Sequence, residues 1–299
     1  MARPAWPQGI AAILFLGCTG VASGRVVPTE SCVKFNVVDG ARMLVPVQIN
    51  GLGPYRFLLD TGAAITMIDD AVARKAGLKP MTDIDLTTFT GIARIPLAPV
   101  DSISLGNRVL RGMKVVYCDL TRAYSFTAGI HGVLGQDFLS NFNYLVDRKE
   151  RTIRFEESGE LENTLLGQRI PTERRQSKFY LLIPGAGGFS DPMRFLLDSG
   201  SPYLLLYDKP AVVARLSVIS FERDTLLAES AIGKRRLQPC RIGGFQIGGH
   251  FLANLRVILA ETLPGEQRFE DGLLPLRMFA AVYFNNAGNY VILDPVLPK

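Results

Sequence analysis

Histidine is nearly missing from this chain: His131 and His250 are the only two among 299 residues. No His-Glu-x-x-His stretch and no Gly-x-Ser-x-Gly elbow occurs, so a zinc peptidase and a serine hydrolase both lack their usual anchors. Two isolated histidines read as structural or solvent-facing. Cysteine is scarce too. With Cys18 in the N-terminal apolar stretch, Cys32, Cys118 and Cys240 remain. Three thiols allow at most one internal bridge and a spare, and without a Cys-x-x-Cys pair they do not make a zinc site. After the N-terminus no apolar run reaches the roughly 18 residues of a membrane-spanning helix. Net charge is only +5, and the basic residues gather only in short groups such as Arg174-Arg175 and Lys234-Arg235-Arg236. That is too sparse for a nucleic-acid surface. Gly185-Ala186-Gly187-Gly188 has no lysine and helix after it, so it reads as a hairpin turn, not a phosphate cradle.

What is present suits a folded chain of many short strands: 47% hydrophobic residues, 20% charged, 29 glycines and 18 prolines. The length allows two ordinary domains. Arg3, the apolar stretch from Ile10 to Val21 and the small residues Ala22-Ser23-Gly24 make residues 1–24 a signal peptide. The mature chain is then exported, periplasmic or secreted. Leu16-Gly17-Cys18 faintly resembles a lipoprotein site, so a lipid anchor at Cys18 or an uncleaved signal is the only membrane association expected.

The chain contains an internal repeat. Phe57-Leu58-Leu59-Asp60-Thr61-Gly62-Ala63 returns 138 positions later as Phe195-Leu196-Leu197-Asp198-Ser199-Gly200-Ser201. Val115-Val116 corresponds to Val257-Ile258, and Gly132-Val133-Leu134 to Gly272-Leu273-Leu274, with the small offset drifts that loop insertions produce. The pattern around these anchors is mostly strand. Val45, Val47 and Ile49 alternate with polar residues, and Phe57 to Leu59 and Phe195 to Leu197 are continuous apolar runs of buried strands. Asp69-Asp70 opens a short helix closed by Gly77, with a counterpart over 211–216. Gln136 to Phe142 and Leu276 to Ala281 read as further short helices, and Asp147 and Asp294 as strand ends. The polar stretch 157–177 reads as a linker between halves 25–156 and 178–299.

One acid per half suggests two carboxylates meeting across an internal two-fold axis. Like charges at close range cannot both ionise easily, so such a pair shares a proton and titrates as a unit. One member can take a proton from water while the other donates to a carbonyl oxygen. The Thr61 and Ser199 hydroxyls can hydrogen-bond backbone across the interface, and Gly62 and Gly200 permit close approach. A hydroxyl at Ser201, with only Ala63 opposite, would favour the charge of Asp198 and leave the shared proton on Asp60.

With Asp60-Thr61-Gly62, Asp198-Ser199-Gly200, Val133-Leu134-Gly135 and the following Gln136-Asp137-Phe138-Leu139, the sequence resembles the aspartic peptidases of the pepsin/retropepsin-like superfamily, near their bacterial families. The resemblance implies a mainly β fold with two β-barrel lobes, short helices and a cleft between them. It implies endopeptidase cleavage of a peptide or protein substrate, without metal or cofactor, by a monomer that supplies both catalytic acids, Asp60 and Asp198. Thr61, Gly62, Ala63, Ser199, Gly200 and Ser201 support them, and a flap carries Phe89, Thr90 and Gly91. Two departures stand out. Leu273-Leu274-Pro275 has proline where the family has glycine, which predicts a distorted second element because proline lacks an N–H. The flap offers Phe89 in place of the tyrosine of pepsin-like enzymes. Both motivate a rival reading: a non-catalytic peptide-binding protein with a degenerate second lobe.

Overall fold

The computed structural model describes residues 31–88, 90–120, 129–156, 159–175, 178–183, 191–213, 218–230, 233–247, 250–262 and 268–296. The expected signal at 1–24 with Cys18, the Phe89 flap position and the Gly185–Gly188 turn lie outside the described residues, as does the His250 side chain.

The fold is mainly β. The first half runs through β1 (Ser31–Lys34), β2 (Asn36–Val38), β3 (Arg42–Ile49), β4 (Leu52–Leu59), β5 (Met67–Asp69), β6 (Thr82–Thr88), β7 (Gly91–Leu105), β8 (Arg108–Cys118), β9 (Gly132–Leu134), β10 (Tyr144–Asp147) and β11 (Thr152–Phe155). The second continues with β12 (Arg169–Arg175), β13 (Lys178–Ile183), β14 (Met193–Asp198), β15 (Leu205–Tyr207), β16 (Val218–Phe221), β17 (Leu226–Ser230), β18 (Gly233–Leu237), β19 (Pro239–Ile247), β20 (His250–Ala260), β21 (Gly272–Pro275), β22 (Ala281–Asn285) and β23 (Tyr290–Leu293). Strands β2 to β9 form an eight-stranded sheet. A thirteen-stranded sheet takes in both halves, because β10 pairs antiparallel with β22 from Tyr144–Phe284 to Asp147–Ala281. Strands β17 and β18 stand apart as a hairpin of their own.

Local chemistry explains the elements near the site. Strand β3 buries Val45, Val47 and Ile49 on the alternating face expected, and buries Leu44 on the other as well. Val45 joins the main core, which spans both halves, whereas Leu44 joins a smaller cluster with Leu58, Met67 and Val133. Asn50 and Gly51 turn β3 into β4 with φ of 50° and 75°, the left-handed pair that a two-residue hairpin needs and asparagine–glycine supplies. Helix α1 (Asp70–Lys75) is capped by the Asp69 carboxylate, which accepts the Ala71 N–H at 2.9 Å.

One pairing pattern occurs twice. Strand β9 runs parallel to β4 and antiparallel to β5, while β5 runs parallel to β8. Strand β21 runs parallel to β14 and antiparallel to β15, while β15 runs parallel to β20. The registers match: Leu58 and Val133 face each other as Leu196 and Leu273 do.

Pro275 does not disturb this, contrary to the distortion expected from sequence. Strand β21 keeps register and extends it by one pair, Asp198–Pro275. The reason lies one strand away. In the first half the Gly135 N–H donates to the Thr66 hydroxyl at 3.1 Å. The residue corresponding to Thr66 is Leu204, which offers no acceptor, so a proline without an N–H leaves nothing unmet. At Gly135 itself a side chain could not fit, since a Cβ there would lie 2.9 Å from the Ile65 carbonyl carbon.

Other expectations shift at element ends. Only Gln136–Leu139 (α2) is helical, and Leu276–Met278 is a single 3-10 turn, because Ala281 is already claimed by strand pairing with Asp147. The stretch read as a linker carries helix α3 (Glu160–Thr164) and strand β12, which bridges β13 and β23. The counterpart of α1 is α4 (Pro210–Val213), with 214–217 outside the described residues. Asp147 ends β10, and Asp294 follows β23 and accepts the Ala280 and Ala281 amides. No disulfide joins Cys32, Cys118 and Cys240. Among the described residues no helix is long and apolar enough to cross a membrane.

Candidate active site

Strands β4 and β14 deliver the repeated acids to one place. Phe57, Leu58 and Leu59 are buried, as are Phe195, Leu196 and Leu197, so each strand is anchored along both faces up to its acid. The Thr61 hydroxyl accepts the Ser199 N–H at 3.0 Å and donates to the Leu197 carbonyl at 2.6 Å. The Ser199 hydroxyl accepts the Thr61 N–H at 3.0 Å and donates to the Leu59 carbonyl at 2.7 Å. All four bonds are buried, and they lock the two motifs to each other.

The glycines have a reciprocal role. A Cβ on Gly62 would lie 2.6 Å from Asp198 Cγ, and one on Gly200 would lie 2.7 Å from Asp60 Oδ2. Each carboxylate therefore occupies the space that a side chain on the other motif would fill. Asp60 Oδ1 accepts the Gly62 and Ala63 amides at 2.8 and 3.1 Å, and Asp198 Oδ1 accepts those of Gly200 and Ser201 at 2.7 and 2.9 Å. The two carboxyl groups also hydrogen-bond one another.

Residues 45–138 match the family model described as Aspartyl protease. The match supports a peptidase hydrolase. It takes in Asp60-Thr61-Gly62 and Val133-Leu134-Gly135, while Asp198 lies beyond its end. No curated protein matches the chain.

The order expected from Ser201 loses its basis, because its hydroxyl is bonded elsewhere and both acids are raised together. Burial pushes Asp198 up from the ordinary carboxylate range, and the adjacent Asp60 charge and shared hydrogen bond help carry it to about 8. Burial also raises Asp60, but the Gly62 amide, the Asp198 hydrogen bond, the Ala63 amide and the Arg42 charge all oppose the rise. Both acids are held above the ordinary range, so the pair titrates as a unit and keeps one shared proton. The Ser201 hydroxyl does not reach the Asp198 carboxylate. It donates to the Tyr203 carbonyl at 2.8 Å, so Ser201 serves the acid through its amide, as Ala63 does.

Two supporting residues were not legible in the motif. Arg42, buried at the start of β3, donates Nε–H to the Gly200 carbonyl at 2.8 Å and pairs with Asp39. It holds the second motif from the first half and biases the charge onto Asp60. Lys178 occupies the corresponding place, two residues ahead of the partner of Leu196 as Arg42 is two ahead of the partner of Leu58, and it too lines the cavity. That repeated basic position was the available signal. Gln136, fully buried, donates Nε2–H to the Thr61 carbonyl at 3.0 Å. Its counterpart, Leu276, has no such donor.

The acids open onto a cavity of about 530 Å³. Its two walls come from small apolar clusters, one holding Leu58, Met67 and Val133 and the other Leu196, Leu205 and Leu273. The β6–β7 hairpin reaches over it, with Thr90 and Gly91 at its tip. His131 takes no part. Its Nδ1 accepts the Arg56 N–H at 3.1 Å within β4, and burial lowers its basicity. No group of three or more metal-ligating side chains occurs among the described residues.

Proposed function

We propose that this chain is an aspartic endopeptidase in which Asp60 and Asp198 activate water between two lobes of one polypeptide. The observation that carries the reading is the reciprocal packing of the two carboxyl groups, each against the other motif's glycine and locked by the Thr61–Ser199 hydroxyl exchange. The recurrence of the strand pairing around both acids supports a pseudo-two-fold lobe pair, and therefore a monomer as the working unit.

In the proposed chemistry Asp60 is the ionised member, the acid that the Arg42 charge acts on. Ionised Asp60 takes a proton from the bound water as its oxygen attacks the scissile carbonyl carbon, while Asp198 gives its proton to the carbonyl oxygen. The resulting neutral tetrahedral diol collapses when Asp60 hands its proton to the leaving nitrogen and Asp198 recovers one from a hydroxyl. The bond between carbon and nitrogen breaks, and the pair returns to its starting state. The low-dielectric site keeps the two pKa values apart, which lets one carboxyl be a base while its twin is an acid.

The apolar cavity walls favour substrates with aliphatic or aromatic side chains flanking the cleaved bond. Export through the N-terminal signal, with Cys18 as a lipid attachment point in the variant form, gives an enzyme acting outside the cytoplasm. The deciding assay incubates the mature protein with a denatured protein mixture from pH 3 to 8, beside Asp60→Ala and Asp198→Ala. Cleavage lost in both variants bears the proposal out. Binding without cleavage, indifferent to both substitutions, would leave the non-catalytic reading in its place.

A further inference from the structure

Two hairpins from opposite halves line the cavity, and they touch near their ends. The Ser230 hydroxyl, at the end of β17, hydrogen-bonds the Thr90 hydroxyl and lies 3.1 Å from that of Thr88, at the end of β6. A Cβ on Gly233, which opens β18, would lie 3.5 Å from Thr90 Oγ1. A third contact comes from below. Arg268 donates Nη2–H to the Thr88 carbonyl at 2.9 Å. Its guanidinium is itself held by Glu270, with Nη1 3.2 Å from Oε1, and lies 5.0 Å from the Tyr207 ring centroid. Both members of that ion pair are almost completely buried.

The two halves differ here in a telling way. By register, Glu270 stands three residues before Leu273, where Ile130 stands three before Val133. A position that is apolar in the first half is a buried acid in the second. A buried charge is costly unless it is paired and hydrogen-bonded. The arrangement that satisfies Glu270 also presents Arg268 to the backbone of the opposite hairpin.

We infer that Arg268, oriented by Glu270, is a positioning residue that together with Ser230 clasps the β6–β7 hairpin shut over the acids, so that a ligand enters only when this clasp opens. The clasp is a property of the free protein, and its role as a gate rests on the peptidase reading above. Hydrogen exchange and ligand kinetics separate the two. In Arg268→Met, amides of residues 82–97 exchange roughly tenfold faster, as loss of one charge-assisted hydrogen bond implies, while those of β10 and β22 keep their wild-type rates. Ser230→Ala, which leaves the Arg268–Glu270 pair intact, gives a smaller acceleration in the same amides and decides the point alone if Arg268→Met fails to fold. Unchanged exchange over 82–97 in the folded variants would overturn the clasp. A statine-containing peptide, which mimics the tetrahedral diol, is the kinetic probe. Its association and dissociation both quicken in the variants if the clasp is the gate. Faster exchange with unaltered peptide kinetics would sink the gate. Wild-type protein that neither binds the peptide nor cleaves protein would instead count against the peptidase reading, with the exchange result still ruling on the clasp.

Discussion

Replacing Thr61 by valine tests the lock beneath the acids. Valine has nearly the same shape but trades the hydroxyl for a methyl. The loss strands two buried backbone groups, the Ser199 N–H and the Leu197 carbonyl, which that hydroxyl meets at 3.0 and 2.6 Å. A buried polar group left unsatisfied costs about 1–3 kcal/mol, so the pair costs about 2–6 kcal/mol. Against a total stability of roughly 5–15 kcal/mol this is a large fraction. Thr61→Ser retains the hydroxyl and loses only one methyl, worth about 1 kcal/mol. Urea denaturation at fixed pH should therefore rank wild type, Thr61→Ser and Thr61→Val in falling order, with about 4 kcal/mol between the ends. Ser199→Ala strands the Thr61 N–H and the Leu59 carbonyl and should match Thr61→Val. The double variant should lose less than the sum, because water admitted by the first opening reaches the second pair of groups. A Thr61→Val protein within about 0.5 kcal/mol of wild type would refute the idea that these bonds hold the halves in register.

Three further outcomes are expected. Asp198 binds its proton more tightly folded than unfolded, so its contribution to stability is complete below the ordinary aspartate range and is lost as pH rises toward about 8; denaturation midpoints should fall across that window in wild type, and a fall of equal size in Asp198→Asn would contradict the assignment. Gly200→Ala drives a Cβ into the Asp60 carboxylate, 2.7 Å from Oδ2, and should cut kcat/KM by more than about a hundredfold, since catalytic geometry tolerates little displacement; near-normal turnover would show that the carboxyl groups are not packed this way. Arg42→Met removes a charge that opposes the rise of Asp60 and frees the Gly200 carbonyl, so the acidic limb of the pH–rate profile should move to higher pH, and an unmoved limb would deny Arg42 its electrostatic role.

Much of the site was legible because it is written locally and twice. An apolar run ending in acid, hydroxyl and glycine reads the same way in either half, and parallel pairing with the Gly132 and Gly272 elements repeats with it. What reading by analogy missed depended on neighbours distant in sequence. Pro275 predicts distortion only until Leu204 is seen in the place of Thr66. The serine at 201 suggests a charge order that loses its basis once its hydroxyl is seen bonded to the Tyr203 carbonyl. The helix read over 276–281 fell short because strand pairing claimed Ala281, and the one over 136–142 ended at Leu139 in a run of turns.

Composition and repetition alone thus determined a β-rich chain carrying one acidic motif per half, since alternation, turns and duplicated segments are properties of neighbouring residues. The tertiary structure alone decided that the two acids share one buried place that raises both, that Arg42 braces the opposite motif and that Arg268 grips the opposite hairpin. Those facts rest on burial and on hydrogen bonds between residues up to 180 positions apart, and the strength of a charge or a donor depends on what folding packs around it.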